Sequence, residues 1–239
     1  SSKKIVFSGV GKTRSELIYA IEKNILLINC ESKSEILEIE RIAKLKKKKV
    51  DIGIRLNPNT DAKTLKQIST GKKENKFGIN EKTFIEVSRY IKESKFLNLK
   101  CLSVHIGSQI LDHKPYQKMI NVLDKLIKKM DFSFEYIDLG GGMGIDYKKD
   151  NKKFDFKKYN QIIKKFLVNH KSKIIFEPGR SIIGNTAILV SKILYIKENS
   201  KKDFIILDAA MNDFMRPALY GAKHKICLLY TSDAADDRM

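Results

Sequence analysis

The stretch Asp138-Leu139-Gly140-Gly141-Gly142-Met143-Gly144 ends a short apolar run and carries three consecutive glycines. Two other segments share this arrangement: Ser103-Val104-His105-Ile106-Gly107-Ser108-Gln109 upstream and Phe176-Glu177-Pro178-Gly179-Arg180 downstream. Each follows a run typical of a β-strand and precedes a stretch that can form a helix. In a parallel α/β barrel the ends of different strands meet at one face, where the chemistry is gathered. We therefore expect the histidine, glycines, glutamate and arginine of these segments to lie in one cleft.

Strand-like apolar runs alternate with amphipathic stretches over the first three quarters of the chain. The predicted strands are Lys4–Ser8, Leu26–Asn29, Val50–Leu56, Leu102–Ile106, Tyr136–Leu139 and Ile174–Phe176. Helical spacing of apolar residues is found in Ser15–Ile21, Ile36–Leu45, Thr83–Ile91 and Tyr116–Met130. This alternation predicts an α/β fold of parallel βαβ units with right-handed crossovers. The strands are almost continuously apolar, as expected when helices cover both faces of the sheet.

The pattern changes after Gly184, where two strand-like runs follow each other with no helix between them. These runs are Thr186–Ile196 and Asp203–Leu207, and they predict the beginning of a second, β-rich domain. We accordingly expect a barrel over residues 1–183 and the start of a C-terminal β domain over residues 184–226. The segment Thr231–Asp237 is acidic and small in a basic chain, and we interpret residues 227–239 as a non-native tail.

The charge of the chain is strongly positive, with 47 Lys and Arg against 28 Asp and Glu and a net charge of +19. The lysines are scattered over nearly every predicted helix and are not interleaved with aromatic residues, which argues against nucleic-acid binding. A nucleic-acid-binding protein remains an alternative that predicts a clustered basic face. No apolar run is long enough to span a membrane. The three cysteines form no Cys-x-x-Cys motif, which argues against a zinc or other metal site and favours a reducing, cytoplasmic compartment.

The glycine cluster admits two interpretations. Glycines after a strand allow the backbone to approach an anion and to direct N–H groups at it, but a tight strand-to-helix turn needs the same residues. The cluster is not a dinucleotide-binding fingerprint, because Ile145 stands where the last glycine should be. His105, close to Gly107 and Ser108, is likewise either a cleft residue or a structural histidine.

The segment Glu177-Pro178-Gly179-Arg180 brackets a rigid turn with a carboxylate and a guanidinium group. A simple ion pair on the surface is one interpretation. The apolar approach Ile174-Ile175-Phe176, however, places Glu177 at the mouth of a buried strand, where a carboxylate needs a partner. A ring nitrogen that carries a proton would serve as that partner.

Together these segments resemble the pyridoxal-phosphate decarboxylases of the alanine-racemase-like fold type, over about residues 3–226. Further strings that carry the resemblance are Arg55-Leu56-Asn57-Pro58, Lys73-Glu74-Asn75-Lys76-Phe77-Gly78 and Met211-Asn212-Asp213-Phe214-Met215-Arg216-Pro217-Ala218-Leu219-Tyr220. The resemblance implies a pyridoxal 5′-phosphate-binding (β/α)8 TIM-type barrel that lacks its first two strands. The cofactor-binding residues that it implies are His105, Ser108, Gly141, Gly142, Glu177, Pro178, Gly179 and Arg180.

Individual roles also follow from the resemblance. His105 would stack on the cofactor ring, and Glu177 would bond the ring nitrogen and keep it protonated, so that the ring can act as an electron sink. Arg180, Arg216 and Tyr220 would hold carboxylate groups of the substrate, for which an arginine fork is well suited.

The reaction that the resemblance implies is decarboxylation of meso-2,6-diaminopimelate to L-lysine by a homodimer. A related amino-acid or polyamine decarboxylase and a non-catalytic pyridoxal-phosphate-binding barrel are the alternatives. In the family, the lysine that binds the cofactor covalently precedes the position of Ser1, and a catalytic cysteine follows residue 226. No catalytic nucleophile is therefore assigned, and the chain as given is expected to be inactive.

Overall fold

The computed structural model of the 239-residue chain describes residues 1–60, 76–130, 132–147 and 153–229. Backbone contacts divide the chain into two compact units. The first comprises Ser1–Ile145 and Phe154–Gly184, and the second comprises Asp146–Lys153 and Asn185–Met239.

The first unit is built on a six-stranded parallel sheet whose strands follow the order of the sequence. The strands are β1 (Val6–Phe7), β2 (Leu27–Cys30), β3 (Val50–Arg55), β4 (Leu97–Ser103), β5 (Tyr136–Asp138) and β6 (Lys173–Ile175). The helices are α1 (Arg14–Glu22), α2 (Lys33–Leu45), α3 (Glu81–Glu93), α4 (Lys114–Met130), α5 (Phe156–Asn169) and α6 (Arg180–Ile183), and a 3-10 turn at Ser2–Lys4 precedes β1.

Four of these helices begin at a residue whose side chain caps the first turn. The Thr13 hydroxyl accepts from the backbone of Glu16, whose carboxylate in turn accepts from the Thr13 N–H, which is the reciprocal capping box. Ser32, Asn80 and Asp155 cap α2, α3 and α5 in the simpler way, through a backbone N–H three residues on. These caps satisfy amide groups that would otherwise lack partners, and they fix where each helix leaves its loop.

The core lies between the sheet and the helices that cover it. The inner strands β2, β3, β4 and β5 are largely buried, with Ile52 and Ile54 fully enclosed, whereas the edge strands β1 and β6 are partly exposed. In α4 the buried residues Met119, Leu123 and Leu126 recur at three- and four-residue spacing, so one face of the helix packs inward. The strand ends therefore rest on a packed layer that can hold side chains in fixed positions.

The sheet is curled rather than flat. In a flat sheet β1 would lie about 24 Å from β6, because neighbouring strands are roughly 4.8 Å apart. The Ser8 hydroxyl, directly after β1, nevertheless lies 3.1 Å from Oε1 of Glu177, which follows β6. Asn29 in β2 reaches Asp138 in β5 with a hydrogen bond of 2.8 Å. The predicted α/β fold with a partial TIM-type barrel is thus confirmed.

The boundaries of two predicted strands were wrong. β4 begins at Leu97, because Val50–Ile52 of β3 pairs with Leu97–Leu99 ahead of the apolar run that was taken as the strand. Of the predicted strand Thr186–Ile196, only the part from Ile193 onward is a β-strand. Pairing with the neighbouring strand begins at Ile193, opposite Leu207. The amphipathic helix α5, Phe156–Asn169, was not singled out from the sequence.

The second unit contains a two-stranded antiparallel sheet of β7 (Ile193–Lys197) and β8 (Phe204–Leu207), followed by the short helix α7 (Arg216–Tyr220). Many apolar side chains of β7 and β8 are exposed. Of the tail predicted over residues 227–239, residues 230–239 lie outside the described residues. Among the helices of the described ranges, none has the length and apolar character that crossing a membrane would require.

Candidate active site

The strand ends of the first unit bring His105, the glycine cluster and Glu177 together. The Gly141 N–H donates to Nδ1 of His105 at 3.2 Å. The Glu177 N–H donates to the Gly140 carbonyl at 2.9 Å, so the loop after β6 is fastened to the loop after β5. Pro178 lies beside Gly141, whose position would place a Cβ 3.5 Å from the Pro178 Cα.

The glycine cluster has no room for side chains. A Cβ at Gly141 would overlap the Glu177 carbonyl oxygen, and a Cβ at Gly142 would overlap the Gly107 carbonyl oxygen. Gly142 also has φ +95°, a conformation that favours glycine. The loops can approach each other this closely only because the positions lack a Cβ.

This arrangement leaves backbone donors available. Within the described part of the chain, the N–H groups of Gly142 and Gly179 donate to no acceptor. Backbone N–H groups without internal acceptors can donate to an anion such as a phosphate group. The donors present thus fit a phosphate ester.

Ser108 and Arg180 are the next pair at the same end of the sheet. Nε of Arg180 donates to the Ser108 hydroxyl at 3.3 Å, which links the loop after β4 to the start of α6. Gly179 precedes Arg180 as the N-cap residue of α6 and is exposed. A hydroxyl, a guanidinium group and an amide N–H therefore lie on the loops at the same end of the sheet as the glycine cluster.

The His105 imidazole is neutral over the physiological range. Burial, and secondarily the charge of Arg55, lower the pKa of His105 from 6.5 to about 4. Because Nδ1 accepts the Gly141 N–H, the ring proton of the neutral form is on Nε2. The tautomer is thus fixed by the glycine cluster, and the ring can present an uncharged face to a ligand.

Arg55 belongs to a buried ion pair below His105. Its Nη1 lies 2.7 Å from Oε1 of Glu31, its Nη2 donates to the His105 carbonyl at 3.4 Å, and its guanidinium carbon lies 4.9 Å from the ring centre of Phe77. The Gly78 N–H donates to the other Glu31 oxygen at 2.7 Å. This cluster supports the backbone from which the imidazole projects.

Two residues that sequence reasoning missed also shape the site. The buried Tyr116 hydroxyl donates to the Gly141 carbonyl at 2.8 Å and so orients the central glycine from α4. Asp138, fully buried, accepts hydrogen bonds from Gly140 and Asn29. Tyr116 was recognised only as the start of an amphipathic helix, and a tyrosine at an inward-facing position, where its hydroxyl needs a partner, was the available signal.

Arg216 and Tyr220 lie in the second unit. The Arg216 guanidinium donates to Nε2 of His224 at 3.5 Å and lies 5.8 Å from the ring centre of Tyr147, within that unit. Tyr220 is the last residue of α7. The substrate-binding role of both residues stays a prediction.

These features define a class. A curled parallel α/β sheet carries a neutral histidine, a glycine-rich anion cradle and a glutamate at its carboxyl edge, as a domain that binds a phosphorylated ring would require. The family model described as "Pyridoxal-dependent decarboxylase, pyridoxal binding domain" matches residues 1–184. The chain belongs to this family.

Similar relatives include diaminopimelate decarboxylases of several bacteria. The chain is 44% identical over 235 residues to a diaminopimelate decarboxylase of Helicobacter pylori, with 96% of this chain and 57% of the relative covered. It is 40% identical over 235 residues to the diaminopimelate decarboxylase of Aquifex aeolicus (strain VF5), with 97% and 56% covered. The chain therefore spans a little over half the length of the curated relatives that it matches.

Solved structures similar to this chain also include diaminopimelate decarboxylases. The crystal structure of diaminopimelate decarboxylase from Helicobacter pylori complexed with L-lysine superposes with a TM-score of 0.91 at 42% identity, covering 97% of this chain and 59% of that one. The enzyme from m. jannaschii in co-complex with L-lysine gives a TM-score of 0.83 at 35% identity, with 94% and 54% covered. A carboxynorspermidine decarboxylase from Campylobacter jejuni, 18% identical with a TM-score of 0.64, shares the fold.

Proposed function

We propose that this chain binds pyridoxal 5′-phosphate at the carboxyl edge of its sheet, as part of an enzyme that decarboxylates meso-2,6-diaminopimelate to L-lysine. The observation that carries the proposal is the convergence of His105, the glycine cluster and Glu177 in a domain that belongs to the pyridoxal-dependent decarboxylases. Identity of 39–44% over nearly the whole chain to relatives named diaminopimelate decarboxylase supports this substrate over others.

The chain's own residues divide the work of holding the cofactor. The N–H groups of Gly142 and Gly179 and the Ser108 hydroxyl are suited to the phosphate, because they are hydrogen-bond donors around a cleft with no Cβ in the way. Neutral His105 is suited to stacking, since a cationic ring would repel a protonated pyridine. When bound, pyridoxal phosphate supplies an electron sink for the carbanion that remains after carbon dioxide leaves.

Glu177 would hold a proton at the ring nitrogen. An anionic carboxylate next to that nitrogen favours its protonated form, which in turn strengthens the sink. Pro178 restricts the backbone directly after this glutamate, and the Glu177 N–H is anchored to the Gly140 carbonyl at 2.9 Å. The carboxylate is thus held by two features of the backbone.

Arg180, Arg216 and Tyr220 are proposed to bind carboxylate groups of the substrate. Diaminopimelate carries two carboxylates, of which one is lost and one must be recognised. A guanidinium fork matches the geometry of a carboxylate and remains charged throughout the working range of pH. The diaminopimelate decarboxylases of Helicobacter pylori and m. jannaschii were crystallised in complex with L-lysine, which supports an amino-acid ligand for this chain.

The proposal extends to a homodimer in the cytoplasm. The dimer is supported by the family resemblance alone, and sedimentation of the purified enzyme tests it. A reducing compartment is supported by the free thiols of Cys30, Cys101 and Cys227.

The experiment that tests the activity is an exchange of segments. The part of the Helicobacter pylori enzyme that this chain matches is replaced by residues 1–226, and release of carbon dioxide is measured with diaminopimelate, ornithine and arginine. We expect pyridoxal-dependent turnover that prefers diaminopimelate. A chimaera that folds and binds the cofactor but prefers another substrate, or releases no carbon dioxide, contradicts the proposal.

A further inference from the structure

Asp138 is a buried carboxyl group at the end of β5 to which the proposed function gives no role. Its side chain is 0% exposed. Oδ1 accepts the Gly140 N–H at 2.9 Å, and Oδ2 accepts from Nδ2 of Asn29 at 2.8 Å and from the Ser103 hydroxyl at 3.4 Å. Donors from β2, from β4 and from the loop after β5 thus bind one carboxyl group.

A second carboxyl group, that of Glu177, lies beside Asp138. The Ser8 hydroxyl donates to Oε1 of Glu177 at 3.1 Å and accepts from Nδ2 of Asn29 at 3.2 Å, and the same Nδ2 donates to Oδ2 of Asp138. Burial first, and then the charge of Glu177, raise the pKa of Asp138 from 3.8 to about 7, although the Gly140 N–H acts in the opposite direction. Two carboxyl groups in contact share one proton, because two adjacent anions repel each other. Burial penalises the charged form, so it favours the neutral form of the enclosed Asp138 over that of the exposed Glu177.

The other groups around Asp138 keep their charge near neutral pH. Burial raises the pKa of the Cys101 thiol well above its usual value, so this neighbour on β4 stays protonated. The pKa of His105 is lowered to about 4, so the imidazole is neutral, and Arg55 beyond it is a permanent cation. Asn29, Ser103 and Ser8, which complete the surroundings, do not titrate. The pair of carboxyl groups is the part of this cluster that changes charge.

We propose that Asp138 is a positioning residue for Glu177: its neutral carboxyl group donates a hydrogen bond to the Glu177 carboxylate and holds that carboxylate at the strand ends. The inference rests on the proposed function, in which Glu177 meets the ring nitrogen of pyridoxal phosphate. Loss of the Asp138 proton removes this hydrogen bond and sets two anions side by side. The exposed Glu177 then moves away from the cleft, and the cofactor is held less tightly.

The substitution Asp138→Asn tests this role because it fixes a neutral donor at the same place. The new amide keeps an oxygen for the Gly140 N–H and offers an N–H to Glu177. Asn29 can accommodate the change by turning its amide, because its Oδ1 has no hydrogen-bond partner among the described residues. The control is Asp51→Asn, which removes a carboxylate at the opposite end of the sheet, where Asp51 is paired with Lys100 at 2.9 Å.

The first measurement is the titration of side-chain carboxyl carbons by NMR on the 239-residue chain without cofactor. We expect the Asp138 signal to titrate near pH 7 and to move to lower pH in Glu177→Gln, because the like charge is gone. A midpoint near 3.8 overturns the inference, and so does a midpoint that is unchanged by Glu177→Gln. This second variant alters an exposed residue, so it decides the question even if Asp138→Asn fails to fold.

The second measurement is the dissociation constant of pyridoxal phosphate by equilibrium dialysis at pH 6 and pH 8. The cofactor's own ionisations affect every variant equally, so the ratio of wild type to Asp138→Asn is compared. We expect a ratio near one at pH 6 and up to about tenfold weaker binding by the wild type at pH 8, since only about a tenth of Asp138 then remains protonated. Asp51→Asn should follow the wild type.

The outcomes separate the two claims. An Asp138 that titrates near pH 7 while the ratio stays constant overturns the positioning role and leaves the proposed function standing. Absence of cofactor binding in the wild type at both pH values contradicts the proposed function, and the positioning role falls with it.

Discussion

Replacing Arg55 by methionine should remove the cation from a buried pair and leave its carboxylate without a partner of opposite charge. Arg55 is 9% exposed and Glu31 is 6% exposed, and their charged atoms are 2.7 Å apart. After the substitution, the Gly78 N–H still donates to the Glu31 carboxylate at 2.7 Å, but the paired cation is gone. Breaking a buried pair from one side costs about 3–5 kcal/mol, because a charge stays behind in a medium of low polarity.

That magnitude is large against the roughly 5–15 kcal/mol that stabilises a typical domain. The assay is urea unfolding at pH 7 of Arg55→Met and of the double variant Arg55→Met/Glu31→Gln. We expect the double variant to recover most of the loss, since a neutral amide can still accept the Gly78 N–H. The matched control is Arg41→Met, whose side chain is 62% exposed and pairs with Glu38 at 3.0 Å. It should cost at most about 1 kcal/mol.

The same substitution should affect His105. Arg55 contributes to the lowering of the His105 pKa to about 4, after burial. Its removal should move the imidazole midpoint upward, as followed by NMR. The reasoning is refuted if Arg55→Met costs no more than Arg41→Met, or if the imidazole midpoint does not rise.

Three further substitutions address other parts of the site. In the folded chain the pKa of Asp138 is raised to about 7 from 3.8, so the stability that its proton supplies is present below pH 4 and is lost as pH rises through 7. The free energy of unfolding in urea should therefore fall by up to roughly 4 kcal/mol between pH 4 and pH 8 in the wild type and stay flatter in Asp138→Asn. Parallel pH profiles of the two proteins would disprove this prediction. Tyr116→Phe removes the donor to the Gly141 carbonyl and should cost about 1–3 kcal/mol, whereas Tyr19→Phe, at an exposed position, should cost almost nothing in the same unfolding assay. Arg216→Ala in the chimaera should lower kcat/KM for diaminopimelate, with a loss of roughly 2–5 kcal/mol in transition-state stabilisation. Unchanged kinetics would exclude this arginine from the substrate site.

The sequence predicts the strand ends well because the pattern there is local. An apolar run followed by glycines, as at Gly140–Gly142, indicates a turn at which neighbouring loops come too close to leave room for a Cβ. His105 and Glu177 each lie two residues beyond the end of a strand, so parallel topology alone brings them to one edge of the sheet.

Contacts across the curled sheet could not be predicted in this way. The hydrogen bond between Asn29 and Asp138 joins strands that would lie about 14 Å apart in a flat sheet, so it depends on curvature that no short motif encodes. The boundary of β7 depends similarly on its partner strand, because Ile193 pairs with Leu207 while the residues before it have no partner in the sheet. Arg55 was visible as a cation at a strand end, but its pairing with Glu31 required the packing of two neighbouring strands.

A crystal structure of the chain grown with pyridoxal phosphate would show directly whether the cofactor binds at the carboxyl edge of the sheet. We expect the phosphate within about 3 Å of the Gly142 and Gly179 amide nitrogens, with the ring beside His105 and its nitrogen facing Glu177. Ordered cofactor at another place, such as a surface lysine, with this edge of the sheet empty at saturating concentration, would contradict it.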